Sequence, residues 1–347
     1  MIDFVAILEG IGRPRILVIG DAMLDCYTWG NVERISPEAP VPVLLATQRE
    51  IRPGGAASVA ALVRGIDGEA CLAGVVGPDN DGRRMRTILA DLGIESSWLF
   101  VDEDRETTTK ERFLGRAAGG HPHQILRVDH EGTHPLCRSV EQKLVDSICP
   151  RIGEFQAVLI ADYAKGCCTP RLLESVIESA RRAGIPVLID PARGADFSKY
   201  RGATLLKPNR LEAGLASSRS IVTPREAMEV AHWLRDTCAV QTVVVTLDQD
   251  GLVIATENGE SQHLTTRAQS VYDITGAGDM VLAALGIALA AGRSISEAAQ
   301  LANIAAGLEI ESLGIVAINR EQIREAFGES ARDRFPHPEE NERDTCR

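Results

Sequence analysis

The sequence predicts an α/β fold: a doubly wound, mostly parallel sheet flanked by helices on both faces, with a small β-sheet lid. Unbroken apolar runs recur at residues 16–20, 71–76, 157–160, 187–190, 203–206 and 242–246, as parallel strands covered on both faces require. Between them lie amphipathic helical stretches such as 81–92, 170–183 and 223–238, so strand and helix alternate through most of the chain.

In chain order, the stretch before the first strand reads MIDFVAILEGIGRPR and is expected to form a short helix leading into the domain. The first strand, ILVIG, ends in Gly-Asp. Two segments then break the alternation. Residues 27–47 are rich in Pro and apolar residues, and residues 98–129 read as two or three short strands around a Gly/His-rich turn at 119–123. Both are assigned to the small sheet that projects from the main domain. Residues 276–308 are nearly all helix formers and small apolar residues, which predicts two packed helices. Residues 1–327 thus read as one domain, and the polar, aperiodic stretch 328–347 as a disordered tail.

The 347 residues carry 49 acidic against 37 basic side chains, and a net charge of -12 repels phosphate backbones and anionic lipid over most of the surface. Nucleic-acid and membrane partners are therefore not expected. No apolar run approaches the roughly 20 residues that span a bilayer, and the N-terminus lacks the basic start and small-residue cleavage site of a secretory signal. Eight scattered cysteines form no C-x-x-C pair, which fits free thiols in a cytoplasmic protein.

Three stretches can carry chemistry. In Asp273-Ile-Thr-Gly-Ala-Gly-Asp279, the backbone N–H groups of Gly276, Ala277 and Gly278 can converge at a helix N-terminus, where the helix dipole favours an anion. Asp279, in the first helical turn, can accept the proton of an attacking hydroxyl while the convergent N–H groups stabilise phosphoryl oxygens. A plain glycine turn before an acidic first-turn residue would read the same. In Arg52-Pro-Gly-Gly-Ala-Ala-Ser58, Gly54 and Gly55 permit close backbone approach to a ligand, or simply mark a strand-to-helix turn. In Leu206-Lys-Pro-Asn209-Arg-Leu-Glu212, the Asn and Glu three residues apart can hold hydrated Mg2+ beside a triphosphate, or cap a helix. Thr246-Leu-Asp-Gln-Asp-Gly251 is a weaker candidate for a nucleotide contact.

The order of these stretches resembles the ribokinase (PfkB) carbohydrate kinases from about residue 15 to 327, which implies a ribokinase-like fold. Within that family, Gly-Asp21-x3-Asp25, Arg34-Ile-Ser-Pro-Glu-Ala-Pro-Val-Pro-Val43, Asp162-Tyr-Ala-Lys-Gly166 and Tyr272 to Asp279 are similar to the heptose-7-phosphate kinases. These phosphorylate O1 of D-glycero-D-manno-heptose 7-phosphate with ATP and Mg2+, on the way to ADP-heptose and lipopolysaccharide.

The resemblance implies Asp279 as base, Gly276, Ala277 and Gly278 as anion hole, and Asn209 with Glu212 beside Mg·ATP. It implies Thr246, Gly251, Asn303 and Gly307 near the nucleotide, and Asp25, Gly54, Gly55 and Ser58 at the sugar. Asp273 and Thr275 match positions that hold a monovalent cation such as K+ in some ribokinases. The sugar's distal phosphate needs cations, for which Lys110, Arg112, Arg116 and Arg127 in the lid strands are candidates, with Asp129 and Lys165 beside them. Lys110 and Arg112 share a strand face by period two. The lid edges are expected to pair in a homodimer.

Three positions depart from the family pattern. Ser58 stands where those kinases place Asn, Met280 follows the base in place of Thr, and Ala-Arg193-Gly follows Asp190-Pro in place of Lys-Gly. No His-x-Gly-His-type nucleotidyltransferase motif occurs, so a separate protein is expected to add the nucleotide. The rival readings are a kinase for another sugar, such as ribose, fructose or a fructose phosphate, and a non-catalytic sugar or nucleotide sensor.

Overall fold

The computed structural model describes residues 10–116, 121, 123–194, 196–266, 276–310 and 319–325. The expected N-terminal helix, most of the turn at 119–123, Asp273, Thr275 and the tail 328–347 lie outside the described residues.

The described elements open with β1 (Arg15–Gly20), then a long hairpin, β2 (Ala22–Ile35) and β3 (Pro42–Gly55), which runs into α1 (Ala56–Gly65). There follow β4 (Glu69–Val76), α2 (Asn80–Asp91), β5 (Glu95–Val101), β6 (Thr109–Arg116), β7 (His123–His130) and α3 (Arg138–Ile148). Next come β8 (Ala157–Ala161), α4 (Pro170–Ala183), β9 (Val187–Asp190), β10 (Leu205–Leu206), α5 (Arg210–Ser217) and α6 (Pro224–Cys238). The described elements finish with β11 (Thr242–Thr246), β12 (Leu252–Thr256), β13 (Ser261–Leu264), α7 (Ala277–Ala290) and α8 (Ile295–Ile310).

Nine strands form the main sheet in the order β13-β12-β11-β10-β9-β8-β1-β4-β5. Its pairs are parallel from β5 to β11, and β12 and β13 add antiparallel at one edge. Successive residues of β1 serve opposite faces. Ile16 and Val18 join the core beneath α1, α7 and α8, whereas Leu17 and Ile19 join the core beneath α3, α4 and α6. The helices start and stop on local signals. Thr169 caps α4 by accepting the Leu172 N–H at 3.2 Å, Pro170 occupies its first turn, and Gly184, at φ +70°, ends it.

The lid is a four-stranded sheet in the order β3-β2-β6-β7. Its boundaries differ from the sequence expectation of 27–47 and 98–129. The hairpin starts at Ala22 and returns to Gly55, so Asp25 and Gly54 sit in the lid, while Trp98 belongs to β5 at the edge of the main sheet. The buried run 22–27 reads like main-domain sequence because the base of the lid is covered by the domain. Strand 203–206 shrinks to the two residues of β10.

Candidate active site

Asp21, Asp162, Asp190 and Lys207 directly follow or close β1, β8, β9 and β10, so they gather at the carboxyl ends of parallel strands, where open α/β sheets bind ligands. α7 points its N-terminus at them. Gly276 takes φ +103°, no side chain caps the helix, and Gly276, Ala277 and Gly278 are all partly exposed. A Cβ on Gly278 would lie 3.4 Å from Lys207 Nζ and 3.9 Å from Asp190 Oδ2, so the cation stands beside the uncapped N–H groups. Such a pairing of free N–H donors with a cation can take up an anion.

Asp279, in the first turn of α7, is buried and accepts a hydrogen bond from the Tyr163 hydroxyl. Burial pushes its carboxyl up to about 7, with the Asp190 charge adding to the rise and the Tyr163 bond and Lys207 opposing it. A carboxylate in that range can take a proton from a hydroxyl near neutral pH. Ser58 Oγ, fully buried in α1, helps to hold the Asp279 anion from nearby, yet makes no hydrogen bond of good geometry among the described residues. Met280 is fully buried in the core cluster, where its apolar side chain packs with neighbouring helix residues.

Lys207 is 2% exposed and pairs with Asp190 at 2.9 Å. Burial works against its charge, but Asp190, Glu212 and Asp279 outweigh it and hold its amine above the ordinary lysine range. Asn209 and Glu212 realise the capping reading. The Glu212 N–H donates to Asn209 Oδ1 at 2.9 Å and the Asn209 N–H to Glu212 Oε2 at 2.8 Å. The cap fixes both side chains next to Lys207. Burial, with Asp190, raises the Glu212 carboxyl above its usual range, a strain that a bound cation would relieve.

At the other end of the cleft, Asp25 is buried and accepts from the Arg112 guanidinium. A Cβ on Gly54 would come within 2.3 Å of Asp25 Oδ2, so glycine there preserves that carboxylate's space. Gly55 adopts φ +55° as it enters α1. Cross-strand register sets Asp25, Lys110 and Asp129 in one row and Tyr27, Arg112 and Arg127 in the next, and alternation places all six on one face of the lid. The Lys110 amine falls below its usual range chiefly through burial, with Asp25 opposing the fall and Arg127, Arg112 and Lys165 adding to it. Arg127 is chelated by Asp129 at 2.7 and 2.6 Å, which holds that carboxyl low. Lys165 pairs with Glu131 at 2.7 Å. Arg116 does not join the cluster: it is exposed near the lid tip and bonds Asn31.

Gly251, at φ +87°, lets β11 turn into β12, since a Cβ would lie 1.9 Å from the Leu264 carbonyl oxygen. Asn303 donates to the neighbouring Thr265 carbonyl at 2.9 Å. A Cβ on Gly307 would meet nothing within 4 Å among the described residues. Thr246 bridges to Asn209, linking this edge to the capping box.

Four residues that sequence reasoning passed over are central to the geometry: Tyr163, Asp21, Asp190 and Lys207. All four stood inside stretches quoted for other members. Only the fold shows that Tyr163, Asp190 and Lys207 converge on Asp279, with Asp21 holding the Tyr163 turn.

Residues 13–321 match the model of the pfkB family carbohydrate kinases. The bifunctional protein HldE of Syntrophotalea carbinolica is 42% identical over 317 residues, covering 91% of this chain and 64% of the relative. Its counterpart in Geobacter metallireducens is 41% identical over 312 residues, covering 90% and 62%. The chain thus spans 62–64% of the length of these curated relatives. Among solved structures, Arabidopsis thaliana ribokinase complexed with ribose and ATP matches with a TM-score of 0.70 at 18% identity, over 90% of this chain and 98% of that one. Escherichia coli phosphofructokinase-2 in complex with fructose-6-phosphate matches with a TM-score of 0.73 at 19% identity, over 92% and 100%. At these identities the likeness speaks for the fold alone. Sequence and fold lead to one assignment: the chain belongs to the pfkB family of carbohydrate kinases.

Proposed function

We propose that this kinase transfers the γ-phosphoryl group of Mg·ATP to O1 of D-glycero-D-manno-heptose 7-phosphate, giving the 1,7-bisphosphate used towards ADP-heptose and lipopolysaccharide. The observation that carries the substrate class is the cationic face of the lid. Lys110, Arg112 and Arg127 share that face with two carboxylates, Asp25 and Asp129, which leaves one positive charge in excess among the five. A phosphorylated substrate supplies the counter-charge.

In this reading Asp279 accepts the O1 proton as the bond from O1 to the γ-phosphorus forms and the bond from that phosphorus to the ADP oxygen breaks. The N–H groups of Gly276, Ala277 and Gly278, with Lys207, take up charge on the transferring group. Glu212 and Asn209 would hold Mg2+ near the triphosphate, where the ion, when bound, neutralises phosphate charge. Gly251, Thr246, Asn303 and Gly307 border the nucleotide, and Asp25, Gly54, Gly55 and Ser58 border the sugar. A monovalent cation at Asp273 and Thr275 belongs to the same reading. ATP use fits a cytoplasmic enzyme.

The pairing of lids in a homodimer is supported by the apolar side chains they expose, Ile35 at 63%, Leu45 at 67% and Leu126 at 54%. A monomeric mass in solution contradicts it.

The lid assignment is tested with Arg127→Ala, whose exposed side chain puts little of the fold at stake. KM for the heptose 7-phosphate rises about tenfold or more, the usual worth of a charged hydrogen bond, while kcat/KM for the unphosphorylated heptose is unchanged. Equal losses on both sugars refute the contact with the distal phosphate.

A further inference from the structure

Tyr163 lies between the lid and Asp279. Its hydroxyl donates to Asp279 Oδ1, and Lys110 of β6 stands over its ring with Nζ 5.6 Å from the centroid. Its backbone is fixed from below. The N–H groups of Tyr163, Lys165 and Cys167 donate to the Asp21 carboxylate at 2.9, 3.0 and 2.9 Å, and Asp21 directly follows β1 in the middle of the main sheet.

The turn that carries the tyrosine is built rather than relaxed. Ala164 takes φ +57°, a left-handed conformation that persists in a non-glycine residue only where the surroundings enforce it. Asp162 enforces it by accepting the Ala164 N–H at 2.9 Å while it is itself held by Lys199 at 2.5 Å and the Tyr200 hydroxyl at 2.8 Å. Gly166, at φ +91°, passes so close to His134 that a Cβ would lie 2.0 Å from the carbonyl oxygen. Besides packing the ring against the core and satisfying the buried Asp21 carboxylate, this arrangement aims the phenol at Asp279.

We propose that Tyr163 is a positioning residue through which the lid controls the base: with Lys110 over its ring, its hydroxyl holds one oxygen of Asp279 and leaves the other for the acceptor hydroxyl. The proposal rests on the reading of Asp279 as base. A cation over the ring draws on its negative face and makes the phenol a stronger donor, which favours the ionised carboxylate. The other groups that act on Asp279 are Ser58 of α1, Asp190 at the end of β9 and Lys207 after β10, and all three stand on the main domain. Of these four groups, Tyr163 is the one that Lys110 of the lid stands over. Lid opening withdraws Lys110, weakens the donor and lets Asp279 keep its proton, so the base is fully competent only over a closed cleft, where the sugar rather than water is present.

The test is the pH dependence of kcat, followed by ADP release with saturating D-glycero-D-manno-heptose 7-phosphate and Mg·ATP. Tyr163→Phe moves the midpoint up by about one to two pH units, the worth of a hydrogen bond to a charged group, and recovers much of its rate at high pH. Lys110→Met moves it in the same direction by less, and adds nothing when Tyr163→Phe is already present. A Tyr163→Phe enzyme that loses rate equally at every pH overturns the proposal, as does a Lys110→Met shift that persists in the double variant.

A readout independent of turnover is the stability difference between Asp279→Asn and its parent across pH, which reports the Asp279 titration and moves up by the same amount with Tyr163→Phe. If Asp279→Asn turns over normally, the reading of the base itself fails. If it is inactive and both midpoints stay in place, only the role of Tyr163 fails.

Discussion

Asp279→Asn lowers kcat for sugar phosphorylation by about 10²- to 10⁴-fold, the usual contribution of a positioned general base, and leaves the ATP dissociation constant nearly unchanged. The amide keeps the shape and can still accept from Tyr163, so the loss isolates the proton acceptor. The same variant is more stable than its parent above neutral pH. Burial, which penalises the ionised form, pushes the parent carboxyl up to about 7 in the fold against an ordinary 3.8. A carboxyl raised in this way destabilises the fold progressively as pH climbs between those two values, and fully above the higher one. Three units correspond to roughly 4 kcal/mol. Asn cannot ionise, so chemical denaturation at pH 8 shows a gain of that order that vanishes towards pH 4. A variant with near-normal turnover, or one that gains no stability at pH 8, contradicts the assignment.

Lys207→Met destabilises the protein by about 3–5 kcal/mol, the range for removing one partner of a buried ion pair. Lys207 is 2% exposed and Asp190 15% exposed, and their contact is 2.9 Å. Without the amine, Asp190 faces Asp279 and Glu212 with no local cation of comparable burial, and its carboxyl, already raised by burial, rises further. The deficit is therefore largest at high pH and shrinks as pH falls and Asp190 protonates. Adding Asp190→Asn restores most of the stability. It does not restore kcat, which falls about 10²-fold on the scale of a lost oxyanion donor, because Lys207 stands beside the N–H groups of Gly276 to Gly278. Denaturation and kinetics on the single and double variants separate the two roles. A double variant that recovers both would make Lys207 purely structural.

The main sheet was legible because each buried strand is a short apolar run: 187–190 and 242–246 match β9 and β11 to the residue. Helices with explicit caps were equally clear, as for Pro170–Ala183 between Thr169 and Gly184. The lid was less so. Its hairpin begins in buried residues that pattern like the domain, and register alone brings Arg127 opposite Arg112. Asp279 and its glycines stood out as candidates because the requirements of an anion cradle are local in sequence. Lys207, Asp190, Asp21 and Tyr163 act across strands that are neighbours only in the sheet, so no spacing along the chain announces them. The capping role of Asn209 and Glu212 was visible, and it is compatible with an ion site because the cap uses Glu212 Oε2 and not Oε1, while Asn209 Oδ1 keeps a second lone pair.

The most direct measurement is ADP release with Mg·ATP against D-glycero-D-manno-heptose 7-phosphate, the same heptose without its phosphate, mannose 6-phosphate, sedoheptulose 7-phosphate, ribose, fructose and fructose phosphates. The cationic lid predicts a kcat/KM for the heptose 7-phosphate at least about 10²-fold above that of the unphosphorylated heptose, as two or more charged contacts would give. Preference for a neutral sugar, or ATP turnover with none of the panel, contradicts it.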